Sequence, residues 1–307
     1  MRKKAIGFIK FNQEVIAEYI SDNVIKYSAS LAYYTTLSLA PMLIIIIYIS
    51  GLLFGKEAMK GEVYSQLKDL VGSDAAIEIQ STIQNIHFSK ETPVTTIISF
   101  IVLLIGATGI FAEIQDSLNK IWGLKLINKS KWWKLILDRL VSFSLIISMG
   151  FIMVVSLLLS AVTLGISNKI SENLGGIGQT MVMLLDTGLS LLLTTIVFAT
   201  IFKVLPDARI KWKDVFIGSL ITSILFMIGK VLIGIYVAQS NLATMFGAAG
   251  SIIIIMLWVY YSSATLYLGA VFTKIYAVNF GGKIFPSEYS TWVKVQEIPM
   301  AKPTLNE

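Results

Sequence analysis

The sequence predicts an all-α, polytopic membrane protein with six transmembrane helices. An amphipathic helix precedes them, a helical extracytoplasmic segment separates the first two, and both termini lie in the cytoplasm. Three observations predict this. The 307 residues are 55% apolar and only 14% charged, against about 25% charged in soluble globular domains. Six apolar stretches are long enough to cross a bilayer. Lysine and arginine alternate between the connections that join them.

A core cannot hide so much apolar surface in water, because the buried fraction rises only slowly with chain length. Mean hydropathy of +0.74 agrees. Met1-Arg2-Lys3-Lys4 is basic, but no continuous apolar stretch with a small-residue cleavage site follows, so no cleavable signal is read there. Residues 1–27 form the first unit. Phe8, Phe11, Val15 and Tyr19 recur at helical spacing, with Lys10, Glu14 and Glu18 on another face. That pattern suits a helix in the membrane interface, and it suits one packed on the bundle equally well.

A spanning helix needs about 20 apolar residues at about 1.5 Å each. The spans are read at 28–54, 94–121, 135–164, 180–205, 215–237 and 248–278, within one domain over 28–280. The turn-rich stretch from Gly165 to Gln179 separates the third from the fourth. Pro206 and Asp207 end the fourth, since proline disfavours helix at the residue before it. The polar segment 55–92 carries two helical faces, one with Val63, Leu67, Leu70 and Val71, the other with Ile79, Ile83 and Ile86. The tail, 281–307, is expected to be disordered.

Orientation follows from the cations. One side holds Arg2, Lys3, Lys4, Lys10, Lys26, Lys120, Lys125, Lys129, Lys131, Lys134, Arg139, Lys203, Arg209, Lys211, Lys213, Lys274, Lys283, Lys294 and Lys302. The other holds only Lys56, Lys60, Lys68, Lys90 and Lys169. Trp122, Trp132, Trp133 and Trp212 fall at the inner boundary, where aromatic belts form.

Cysteine is absent and histidine occurs once, at His87. Disulfides, thiolate metal sites and a cysteine nucleophile are thereby excluded, as is a multi-histidine zinc centre. No catalytic residue, metal ligand or cofactor is assigned. The phosphate-binding loop pattern is also missing, so energy for any transport comes from a gradient or a partner.

Charged groups inside hydrocarbon cost about 2.5–3.5 kcal/mol each on insertion scales. Lys230 in the fifth span and Asp186 in the fourth reach similar depth. They pair or line one polar cavity; the alternative is that Lys230 snorkels and Asp186 sits near the boundary. At the end of the second span, Glu113, Asp116 and Lys120 share a helical face, with Gln115 and Asn119 nearby. That face turns inward, where it can hold a cation or relay protons, or it is a solvated helix end with surface ion pairs. Ser30, Tyr33, Tyr34, Thr35, Thr36 and Ser38 precede Pro41, which kinks the first span. Tyr260, Tyr261, Ser262, Ser263 and Thr265 form a matching run in the sixth. Such hydroxyls line a path or serve as packing contacts. Gly106, Gly109, Gly247 and Gly250 allow close helix approach or mark a broken helix at an ion site.

Several stretches together resemble the YihY / virulence factor BrkB family of bacterial inner-membrane proteins. They are Ser30-Leu31-Ala32-Tyr33-Tyr34-Thr35 with Pro41, and Gly109-Ile110-Phe111 through Gln115-Asp116-Ser117-Leu118-Asn119 to Ile121-Trp122-Gly123. Leu205-Pro206-Asp207 with Trp212 and Gly218, and Gly247-Ala248-Ala249-Gly250-Ser251 leading to Leu257-Trp258-Val259-Tyr260-Tyr261, complete the set. The resemblance covers about residues 25–275 and implies a six-helix fold in the bacterial cytoplasmic membrane. It supplies no settled substrate. The historical label ribonuclease BN finds no support in one histidine and scattered acids.

The functional expectation is a transporter, exporter or lipid or solute permease, without a cofactor. Its expected partners are membrane lipids, a small solute or lipid substrate and a second copy of the chain, with no nucleic acid. The alternative is a non-catalytic envelope scaffold that uses 55–92 as its contact surface. A membrane-associated hydrolase is the reading that the residues favour least.

Overall fold

The computed structural model describes residues 2–38, 93–127, 140–141, 144, 180, 182–239 and 248–293. Expectations for Pro41, Gly247, the 55–92 segment, most of the 135–164 span and the tail beyond 293 lie outside these residues.

The chain is mostly helical. Helix α1 covers Arg2–Ser21. It ends at Asn23, which takes a left-handed φ of 53°, a conformation that asparagine tolerates. Helix α2 then starts and is described over 24–38. Helix α3 covers Pro93–Ile121. Three further helices, α4 over Val182–Val204, α5 over Trp212–Gln239 and α6 over Ala248–Asn279, follow. These three are long and apolar enough to cross a membrane.

The amphipathic pattern of α1 resolves into two faces. Phe11 and Val15 are buried, and Phe11 meets Phe272 edge-on at 5.1 Å and Phe280 at 5.7 Å. That face packs on α6. Ile9, Ile16 and Ile20 form a second apolar stripe and remain exposed.

Helices α5 and α6 pack antiparallel through small residues. A Cβ at Gly218 would overlap Thr273, one at Gly269 would overlap Thr222, and one at Gly229 would overlap Tyr261. Thr222 and Thr273 each donate to the carbonyl four residues back, Gly218 and Gly269 respectively, at 2.7 and 2.6 Å. The hydroxyls are thus satisfied within their own helices, and the facing glycine leaves room for the side chain.

A polar cap closes one end of the bundle. Helix α3 stops at Gly123, whose φ of 68° is the left-handed conformation that glycine adopts at a helix end. Strand β1, Leu124–Leu126, follows, and β2, Ala208–Arg209, joins α4 to α5. Strands β3, Phe285–Pro286, and β4, Ser290–Trp292, come from the tail. Strand β1 pairs antiparallel with β4, Leu124 opposite Trp292, and β2 pairs antiparallel with β3, Ala208 opposite Pro286. The mostly helical fold thus carries four short strands beyond the all-helical expectation, two of them within residues 281–293. The tail supplies the missing strand to two short segments that have no other pairing partner among the described residues.

Below the cap lies the core. Trp122, Tyr267, Phe202, Leu118, Ile121, Val24, Val215 and Val271 are fully buried there. The Trp122 indole N–H donates to the Ala270 carbonyl at 3.1 Å, which supplies the partner that a buried indole requires.

Candidate functional site

The described polar groups gather at the capped end and along the α3–α6 seam. The first centre is Asp207, which follows the proline that ends α4. It is 5% exposed. Asn119, two residues before the end of α3, grips it twice. The Asn119 Nδ2 donates to Asp207 Oδ2 at 2.8 Å, and the Asp207 backbone N–H donates to Asn119 Oδ1 at 2.8 Å. Gln115, one turn earlier on the same face, donates to the carboxylate at 3.3 Å. The tail completes the centre, because Ser290 Oγ and the Ser287 N–H both donate to the Asp207 carbonyl, at 2.6 and 2.9 Å. This satisfied network ties α3, the α4–α5 connection and the tail into one body.

Lys274 on α6 is the second centre. It pairs with Glu18, lies 3.8 Å from Asp22, and donates to the Ile121 carbonyl at the end of α3 at 2.5 Å. Burial raises the Asp22 carboxyl above its ordinary value; Lys274 pulls it down and Glu18 pushes it up, both more weakly than burial. A third anchor is Asp214 in the first turn of α5. It is 4% exposed and accepts from the Gly282 N–H at 2.8 Å. A Cβ at Gly281 would overlap its carboxylate, so only glycine lets the turn after α6 close over it.

The seam is different in kind. Glu113 on α3 is half-buried. One turn on, Ser117 is 1% exposed, and facing it from α6 Tyr267 is 0% exposed. The Tyr267 hydroxyl lies beside Ser117 and feels the charges of Glu113 and Asp116. The Ser117 and Tyr267 hydroxyls interact with one another at a geometry looser than a full hydrogen bond, and neither has another partner among the described residues.

The structure distributes the residues singled out in sequence as follows. Asp116 is exposed and pairs with Lys120 at 2.5 Å, four residues on, and Lys120 stands over the Tyr27 ring at 5.6 Å. Asn119 instead turns inward to Asp207, so the end of α3 divides into an outer ion pair and an inner clasp. Asp186 and Lys230 are both exposed, and among the described residues no ion pair joins them. Tyr33 and Tyr34 are exposed and meet edge-on at 5.8 Å, Ser30 is half-buried, and Ser28 and Ser38 are the buried hydroxyls of α2. Tyr260 and Tyr261 are half-buried, and the Tyr261 hydroxyl donates to the Leu225 carbonyl at 3.0 Å. Gly106 is half-buried, Gly109 faces Ser38, and Gly250 is buried.

Sequence reasoning did not single out Asp207, Lys274, Ser290, Ser117 and Tyr267 as site residues. Lys274 carried a usable signal: a cation within an apolar helix that runs to Asn279 requires a partner. Among the described residues, no group of three or more His, Cys, Asp or Glu could hold a metal ion.

A family model described as Virulence factor BrkB matches residues 15–286. Curated relatives are named UPF0761 membrane protein. One from Psychromonas ingrahamii is 27% identical over 82% of this chain and 82% of its own length. One from Aeromonas salmonicida is 25% identical over 87% of this chain and 90% of its own length. One from Chromobacterium violaceum is 24% identical over 87% of this chain. The chain spans only 61% of the Chromobacterium relative's length. No solved structure matches the chain.

Proposed function

The chain belongs to the virulence factor BrkB family of membrane proteins, and from that premise we propose that it is a multi-pass permease for an amphipathic solute or lipid. Its capped end is cytoplasmic in this reading and serves as the fixed base against which the spans open. One observation carries the reading: burial is graded along α4 and α5. Near the cap, Phe198, Phe202, Val215 and Ser219 are buried. At the other end, residues 183–188 of α4 and 230–232 of α5 are exposed on successive faces. A Cβ at Gly188 or Gly234 would meet nothing. Helices packed tightly at one end and free at the other are the elements that hinge motions use.

Asp186 and Lys230 lie in the free halves. Each stands 18 residues from the capped end of its helix, Val204 or Trp212, which is about 27 Å along the axis. Charged groups at membrane depth mark substrate or ion paths as the default reading. Buried hydroxyls at Thr195, Ser219, Ser263 and Thr265 lie between them and the cap. The tyrosine, tryptophan and lysine content suits an anionic amphiphile.

The absence of cysteine makes the test independent of substrate. Ser263→Cys places one small thiol at a buried position midway along α6. In a permease it reacts with a membrane-impermeant thiosulfonate added to right-side-out vesicles, and also in inside-out vesicles. Protection from both faces, or reaction from one face only, would refute alternating access. The extramembrane segment 55–92, on which the scaffold alternative rests, lies outside the described residues.

A further inference from the structure

We propose that helix α1 lies along the membrane surface at the capped end of the bundle, and that its outer face, carried by Ile9, Ile16 and Ile20, is embedded in a leaflet of anionic phospholipid. The inference stands on the placement and charge of α1 and does not draw on the permease reading.

The surface of α1 divides into three. Phe11 and Val15 are buried, and Phe11 packs on α6. Ile9, Ile16 and Ile20 are 56%, 58% and 66% exposed. At 3.6 residues per turn these three fall within about 40° of one another, and roughly 140° around the helix from the Phe11–Val15 face. Lys10, Glu14 and Ser21 are exposed on the opposite flank. Isoleucines scattered singly on a surface need no account, but three aligned along the helix form a patch that an apolar partner covers. The helix cannot bring them into hydrocarbon by crossing it, because six of its 20 residues are charged. Lying in the interface lets the stripe face acyl chains while the charged flank faces water.

The neighbours of α1 set its depth. Helix α6 has 32 residues, about 48 Å of length against about 30 Å of hydrocarbon, so it reaches beyond the apolar slab. Helix α1 packs on the capped end of α6, where Phe11 meets Phe272 and Phe280, Glu18 pairs with Lys274, and Glu14 accepts from Asn279 Nδ2 at 3.1 Å. Charge then selects the lipid. Both acids of α1 are engaged by α6 in these contacts, whereas Arg2, Lys3, Lys4 and Lys10 lie on the same helix with no acid in its first turn. Lys10 is exposed and forms no ion pair among the described residues. Anionic headgroups complement these cations, and a zwitterionic surface carries no net charge to do so. A second copy meeting α1 through the same patch would bring like charges together.

The chain has no cysteine, so single thiols report position. Ile16→Cys, Ile20→Cys and Ser21→Cys, all at exposed sites, are labelled with bimane in the full chain and placed in nanodiscs of mixed phosphatidylcholine and phosphatidylglycerol. A trace of lipid with a nitroxide near the top of its acyl chain is added as one headgroup or the other. The expected result is blue-shifted emission and strong nitroxide quenching at positions 16 and 20, and aqueous emission with weak quenching at 21. Nitroxide phosphatidylglycerol should quench positions 16 and 20 roughly twofold more than nitroxide phosphatidylcholine. That excess should vanish in about 1 M NaCl, where the screening length is about 3 Å, and shrink in a Lys3→Gln, Lys4→Gln, Lys10→Gln triple variant. Aqueous emission at 16 and 20 would overturn the placement. Disulfide-linked dimers of Ile16→Cys would assign the stripe to a second copy, and equal quenching by the two lipids would remove the anionic partner; either result overturns the proposal. None of these readouts involves transport, so their failure is distinct from that of the permease reading.

Discussion

Asn119→Ala is the substitution whose consequence the structure fixes most fully. It deletes the Nδ2 donor to Asp207 Oδ2 and the Oδ1 acceptor of the Asp207 N–H, both at 2.8 Å and both buried. A hydrogen bond to a charged group contributes about 1.5–3 kcal/mol, and a stranded buried N–H costs about 1–3 kcal/mol. Gln115, already 3.3 Å from the same carboxylate, can tighten and recover part of the first loss. The expected destabilisation is therefore about 2.5–5 kcal/mol. Reversible unfolding in mixed micelles by SDS titration, read by tryptophan fluorescence, measures it. A double-mutant cycle with Asp207→Ala isolates the pair, and a coupling energy of about 1–3 kcal/mol is expected for residues in direct contact. A loss below about 0.5 kcal/mol, or strict additivity in the cycle, would refute the claim that this contact holds α3 to the α4–α5 connection.

Gly269→Ala drives a methyl into Thr222 and should cost about 1–3 kcal/mol by overpacking, partly restored by Thr222→Ala, in the same titration. Gly229→Ala displaces the Tyr261 ring from its bond to the Leu225 carbonyl; Tyr261→Ala should relieve the clash and Tyr261→Phe, which keeps the ring, should not. Ser290→Ala removes one bond to the Asp207 carbonyl and should lower stability by about 1 kcal/mol. Asp22 gives a pH signature. Burial raises its folded carboxyl above the unfolded value, so the folded state holds more protons between the two and stability falls as pH rises through the folded value. Asp22→Asn should therefore raise the Tm at neutral pH and match the parent chain in acid below the ordinary carboxylate range; an equal offset at both pH values would refute it.

Helix existence was legible because lipid imposes it. An apolar run long enough to cross a bilayer has to satisfy its backbone internally, and the runs at 180–205, 215–237 and 248–278 correspond to α4, α5 and α6 within a few residues. The cap was not legible, for a physical reason. Strands of two and three residues carry no detectable period, and β1 and β4 are more than 160 residues apart in the chain. Nothing local in Ser290-Thr291-Trp292 distinguishes a strand from a loose tail. What orders it is the unpaired edge of Leu124–Leu126 and the Asp207 carbonyl, both supplied by tertiary structure.

Side-chain direction explains the remaining differences. Spacing put Glu113, Asp116 and Lys120 on one face, and that much follows from helix geometry. Spacing does not reveal which edge of the face meets a neighbour. Helix α6 approaches along the edge that carries Ser117, so Asp116 and Lys120 are left outside and Glu113 stands at the border between the two. The same holds for the hydroxyl-rich runs. Ser28 and Ser38 are buried while Tyr33 and Tyr34 between them face outward, because a helix surrounded by partners on one side only has room inside for small hydroxyls and places phenols at its margin.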